Sequence, residues 1–81
     1  MQELEARWLF DNGALSQAIV ARIPMGGEQW HLHLIRFGKS SESVVLERQR
    51  GGWRVFKTID AAANTAHGIG FRRIEIDLSG R

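Results

Sequence analysis

The chain contains no cysteine and no tyrosine, and its single proline stands at position 24. Without cysteine there is no disulfide framework, no thiolate zinc site and no cysteine nucleophile, a composition that suits a reducing cytosol. No segment is low in complexity and none reads as a linker. The longest apolar runs are a few residues, far short of the ~20 that span a bilayer. The opening, Met1-Gln-Glu-Leu-Glu5, is acidic and lacks the basic-then-apolar layout of a secretory signal. These absences lead us to expect a cytoplasmic protein that does not engage membranes.

What is present amounts to a single domain spanning residues 1–81, with no room for two independent cores. The hydrophobic fraction of 43% and charged fraction of 25% are ordinary globular values. A domain of this size buries only roughly 60–65% of the surface its unfolded chain exposes, so stability is modest unless a second subunit covers more. Net charge is +2, but its placement is uneven. Glu3, Glu5 and Asp11 lie within the first eleven residues, whereas residues 48–73 carry Arg48, Arg50, Arg54, Lys57, Arg72 and Arg73 against Asp60 alone. A locally basic half suits a polyanionic partner, although scattered arginines also serve simply as solvated surface.

Along the chain, Leu4, Ala6, Trp8 and Phe10 alternate at the period of a half-buried strand. Asp11-Asn12-Gly13 then reads as a tight turn, and residues 14–23 as a returning strand stopped by Pro24. Residues 25–28 are expected to form a loop. Trp30, Leu32 and Leu34 alternate with His31, His33 and Ile35, and both faces are partly apolar, which places this strand centrally in a sheet. Residues 38–42 are expected to form a polar turn before a strand from Val44 to about Arg50. Gly51-Gly52 supplies a hairpin bend, with Trp53-Arg-Val-Phe56 as its return. Thr58 is suited to N-cap a helix over about 59–67, with Asp60 in its first turn, His67 in its last, and Gly68 just past its end. Ile74, Ile76 and Leu78 alternate inward on a C-terminal strand over 71–78. The expected fold is therefore α+β: an antiparallel sheet of about five or six strands, one helix packed on one face, and the other face open or covered by a second copy.

No motif of catalysis or cofactor binding stands out. The glycine pairs match neither the dinucleotide fingerprint nor the phosphate-loop pattern, and no serine sits in a nucleophile elbow. His31 and His33 share a strand face, but a third metal ligand, His67 or Glu47, has no supporting spacing. We therefore expect no enzymatic activity, no cofactor, no metal and no small-molecule substrate.

The informative stretch is Leu46-Glu-Arg-Gln-Arg-Gly-Gly-Trp-Arg-Val-Phe-Lys57, in which a hairpin carries Arg48, Gln49, Arg50, Trp53, Arg54 and Lys57. A two-stranded ribbon fits the DNA major groove, where Arg reads guanine and Gln reads adenine, and an exposed indole stacks on unpaired bases. Arg72 and Arg73 extend this basic set. On the plainer reading Trp53 and Phe56 serve the core and the arginines are solvated. Three tryptophans are many for so short a chain; Trp8 and Trp30 are expected inside. Tryptophan and arginine also dominate protein–protein hot spots, so a protein partner or a homodimer uses the same residue types.

Phe10-Asp-Asn-Gly-Ala14, Ile19-Val-Ala-Arg22, Leu46-Glu-Arg-Gln-Arg50, Arg54-Val-Phe-Lys-Thr-Ile-Asp-Ala-Ala62 and Ile69-Gly-Phe71 resemble small partition-associated accessory proteins of the ParC type carried on proteobacterial plasmids. The resemblance implies a non-enzymatic role in plasmid maintenance beside an ATPase and a centromere-binding protein, and supplies no catalytic residue. The alternative class is a protein-binding inhibitor of host defence, such as an anti-CRISPR protein. The basic hairpin argues against the acidic mimicry many of those use.

Overall fold

A computed structural model describes residues 1–24, 27–38 and 42–79. The loops expected at 25–28 and 38–42 fall partly on Met25, Gly26 and residues 39–41, which lie outside the described residues. The chain is α+β, with helix α1 (Glu3–Asp11), strands β1 (Leu15–Arg22), β2 (Trp30–Arg36) and β3 (Ser43–Val45), helix α2 (Ile59–Ile69) and strand β4 (Glu75–Asp77).

The first departure from expectation is α1, which replaces the predicted first strand. Leu4, Ala6, Trp8 and Phe10 do alternate, but Ala6, Leu9 and Phe10 also fit the i, i+3, i+4 face of a helix. Local chemistry favours the helix. Glu, Leu, Ala and Arg are strong helix formers, Glu3 and Glu5 sit in the positive first turn, and Arg7 reaches Glu3 at 3.4 Å across one turn. Asp11-Asn12-Gly13 ends this helix instead of bending a hairpin: Asn12 Nδ2 donates to the Trp8 carbonyl at 2.7 Å, and Gly13 takes φ 74°. Ala6 and Leu9 consequently face the core, while Trp8 is 64% exposed, contrary to its expected burial.

Among the described residues the sheet has four strands in the order β3-β2-β1-β4 and is mixed, not antiparallel. β2 is central as expected, antiparallel to β1 (Ala18↔Leu34, Val20↔Leu32) and to β3 (Leu34↔Val44). β4 instead runs parallel to β1, pairing Ile19↔Glu75 and Ala21↔Asp77. The cause is α2, which carries the chain from the β3 edge to the far edge of the sheet. A helical crossover naturally delivers its last strand in parallel.

Both helices pack on one sheet face. Ala18, Val20, Trp30, Leu32 and Leu34 from the sheet meet Ala6, Leu9, Ala62, Ala66 and Ile69 from the helices, with Leu46, Phe56 and Phe71 closing the core. Alanines on α2 let that helix lie close against the strands. Thr58 caps it as predicted, its hydroxyl accepting from Ala61 N–H at 3.0 Å. The helix continues past Gly68, however, and ends at Gly70, whose N–H donates to the carbonyls of Ala66 and His67.

Two further strand expectations shrink. The return segment after Gly51-Gly52 makes isolated pairings, Glu47↔Trp53 and Trp30↔Phe56, not a continuous ladder. The C-terminal strand is only three residues long, and neither helix packs on it. Ile74 touches the core, but Ile76 and Leu78 are exposed, because no layer lies beneath that edge.

Candidate functional site

The hairpin expected at Gly51-Gly52 forms beyond β3. Arg48 N–H donates to the Gly52 carbonyl at 2.9 Å, Gly51 N–H donates to Arg48, and Arg54 N–H donates to Leu46. Gly51 and Gly52 take φ 87° and 75°, which a side chain would resist, so this dipeptide sets the bend. Glu47 stands opposite Trp53, settling a register that sequence leaves open.

That register divides the predicted residues between two sides. Trp53 is 58% exposed and lies on the sheet face away from the helices, where its ring is edge-on to His31 at 5.3 Å. Arg54, the next residue, turns the other way and pairs with Glu3 of α1 at 3.1 Å, its guanidinium 5.0 Å from the Phe56 ring centroid. Arg48 also lies on the α1 side, with its Nε donating to the Gly51 carbonyl at 3.2 Å. The side-chain amide of Gln2 donates to the Gln49 carbonyl at 3.1 Å, fastening the hairpin to the start of α1. Arg50 is exposed near the bend and makes no ion pair among the described residues.

Arg48, Gln49, Arg50, Trp53 and Arg54 are thus gathered on one hairpin. Lys57 is exposed just beyond it, before the α2 cap. Arg72 and Arg73 are exposed too, but they precede β4 and so belong to the opposite sheet edge. Three strand spacings, roughly 14 Å, separate β3 from β4. The structure does not bring those two arginines into the hairpin patch.

Sequence reasoning missed one group of residues. Gln2, which precedes α1, and Glu3 and Arg7 of α1 line a groove of about 380 Å³ together with Arg48 and Arg54. Reading the first segment as a strand hid them, although the Glu3 and Arg7 spacing was the available signal. A second surface is the sheet face away from the helices, which the sequence left either open or covered by a second copy. Ile19, Ala21, His31, His33, Ile35 and Val45 share it with Glu75 and Asp77, and Gln17 donates to Glu75 at 3.0 Å.

Electrostatics on that face follow from partial burial. Desolvation holds His31 below the ordinary imidazole pKa, and His33 pushes in the same direction. His33 is lowered by desolvation as well, partly offset by Asp77. The Asp77 carboxylate is itself held low, first by the Ser79 hydroxyl at 2.6 Å and then by the Ser79 amide at 2.9 Å. Among the described residues no three His, Cys, Asp or Glu side chains come together as a metal-binding set. No helix among them is long and apolar enough to cross a membrane.

No protein-family model, curated protein or solved structure matches the chain, and the resemblance to ParC-type proteins has no support from these comparisons.

Proposed function

We propose that the chain is a non-catalytic binding protein that engages nucleic acid, in single-stranded form, through its Gly51-Gly52 hairpin. One observation carries this reading: Trp53 presents an exposed indole, braced edge-on by His31, on a hairpin whose Arg48, Gln49 and Arg50 are all exposed. A flat ring held at a fixed angle stacks on an unpaired base, and adjacent guanidiniums hold the flanking phosphates. Its counterpart in an ordinary core would be buried, as Trp30 is.

The test is fluorescence anisotropy of a labelled single-stranded DNA oligonucleotide across a salt series. Wild type should bind with a negative salt slope, and Arg48→Ala with Arg50→Ala should weaken binding and flatten that slope by about 0.7 per lost contact. Equal affinity of the double variant and wild type would retire the reading. A preference for duplex DNA would redirect it towards insertion of the ribbon in the major groove.

A second reading rests on the uncovered sheet face, where Ile19, Ile35 and Val45 lie beneath neither helix. That face suits a protein partner or a second copy of the chain. Light scattering after size exclusion, read over a concentration series, separates a monomer from a homodimer. A role in plasmid maintenance is supported by the quoted sequence stretches alone.

A further inference from the structure

Glu3 gives one carboxylate oxygen to each of two arginines: Oε1 lies 3.1 Å from Arg54 Nη1, and Oε2 lies 3.4 Å from Arg7 Nη2. These residues line the groove between α1 and the hairpin, as does Arg48. Arg7, Arg48 and Arg54 therefore line this space together with Glu3 and with Glu47, whose carboxylate is held by the Met1 ammonium at 3.0 Å. Two of the three guanidiniums are oriented by contacts that leave donors over. Arg54 is set against the Phe56 ring, and Arg48 is tied back through its Nε to the Gly51 carbonyl. Guanidiniums fixed in this way recognise tetrahedral oxyanions, because the fork of N–H donors matches two oxygens at once.

We propose that this groove is a subsite for one phosphate group, and that Glu3 is its built-in competitor, occupying with its two oxygens the position that phosphate oxygens would take. The proposal rests on the nucleic-acid reading for its natural source, a backbone phosphate of the strand stacked at Trp53. A free phosphate or a nucleotide presents the same chemistry. The hairpin would then be gripped on both sides, a base against Trp53 on the open face and a phosphate against Arg54 on the α1 side. An anion entering the groove exchanges with the Glu3 carboxylate instead of meeting bare guanidiniums. Binding there is consequently weak in the wild-type chain and strengthened when Glu3 loses its charge.

The deciding variant is Glu3→Gln, which keeps shape and removes charge. Its affinity for the labelled single-stranded oligonucleotide should rise several-fold at low salt, with the salt slope steepening by about 0.7 per released guanidinium. Adding Arg54→Ala should cancel that gain. Unchanged or weaker binding by a Glu3→Gln protein that melts cooperatively overturns the subsite. If Arg48→Ala with Arg50→Ala still weakens binding in that case, the hairpin reading survives its failure. A second measurement needs no variant: titration of the wild-type protein with inorganic phosphate, followed through the side-chain Nε–Hε resonances of Arg7 and Arg54. Movement of both signals supports the subsite, and movement of neither overturns it. Movement with inorganic phosphate but not with the oligonucleotide keeps the subsite and assigns it to a free phosphate instead of the strand.

Discussion

The Trp53 indole and the His31 imidazole meet edge to face, with ring centroids 5.3 Å apart and planes at 87°. His31 in turn lies 6.3 Å from His33 along the same strand face. Such aromatic pairs contribute on the order of 1 kcal/mol beyond the area they bury. The indole stays largely open to solvent, so its loss should separate binding from stability. Trp53→Ala is expected to lower the urea midpoint only slightly while weakening the single-stranded oligonucleotide complex by about 1–3 kcal/mol per stacked base. Parallel denaturation and anisotropy measurements check both halves. A large stability loss without an affinity loss would make Trp53 a structural residue.

The two histidines also predict a pH dependence. Each has its native pKa held below the ordinary imidazole value, so between that lower value and about 6.5 the unfolded chain binds more protons than the folded one. Stability therefore rises with pH through this window. It is fully present above about 6.5 and is lost as pH falls towards the depressed native values. Urea midpoints should drop between pH 7.5 and pH 5.5, and His31→Gln with His33→Gln should flatten the change. Asp77, also held low, acts in a more acidic window and does not confuse the comparison.

Tryptophan placement gives the sharpest contrast in stability. Trp30 is 4% exposed in the core, whereas Trp8 is 64% exposed on α1. Trp30→Ala should cost roughly 3–5 kcal/mol, a large share of what a domain of this size has in hand. Trp8→Ala should change stability by about 0.5 kcal/mol or less. Chemical denaturation of the two variants decides this directly.

These same residues show how far the sequence could be read. Strand β2 was legible because Trp30, Leu32 and Leu34 alternate with half-polar neighbours, and α2 because Thr58 offers an N-cap before a run of alanines. Helix α1 was not, since over nine residues the apolar positions satisfy a two-residue and a 3.6-residue period together. The hairpin announced itself through Gly51-Gly52, but the direction of Arg54 depends on register, and its partner Glu3 lies 51 residues away. No local pattern encodes such a pairing. The parallel placement of β4 likewise depends on the path of α2 over the sheet, not on the alternation of Ile74, Ile76 and Leu78.

Two glycines near the end of α2 should respond to alanine with opposite signs. Gly68 lies inside the helix, and a Cβ there would meet only an Arg7 guanidinium nitrogen at 3.8 Å, an ordinary contact. Gly68→Ala removes backbone freedom from the unfolded chain and should stabilise by about 0.5–1 kcal/mol. Gly70 takes φ 135°, and its added Cβ would run into the ring of Phe10, which is itself packed edge-on to Phe71 at 4.8 Å. Strain at positive φ and overpacking against a rigid ring each cost on the order of 1–3 kcal/mol. Gly70→Ala should therefore destabilise by about 2 kcal/mol or more. If instead Gly70 tolerated alanine and Gly68 did not, the helix would end at Gly68, and the contact between α1 and the C-terminus of α2 would have to be redrawn.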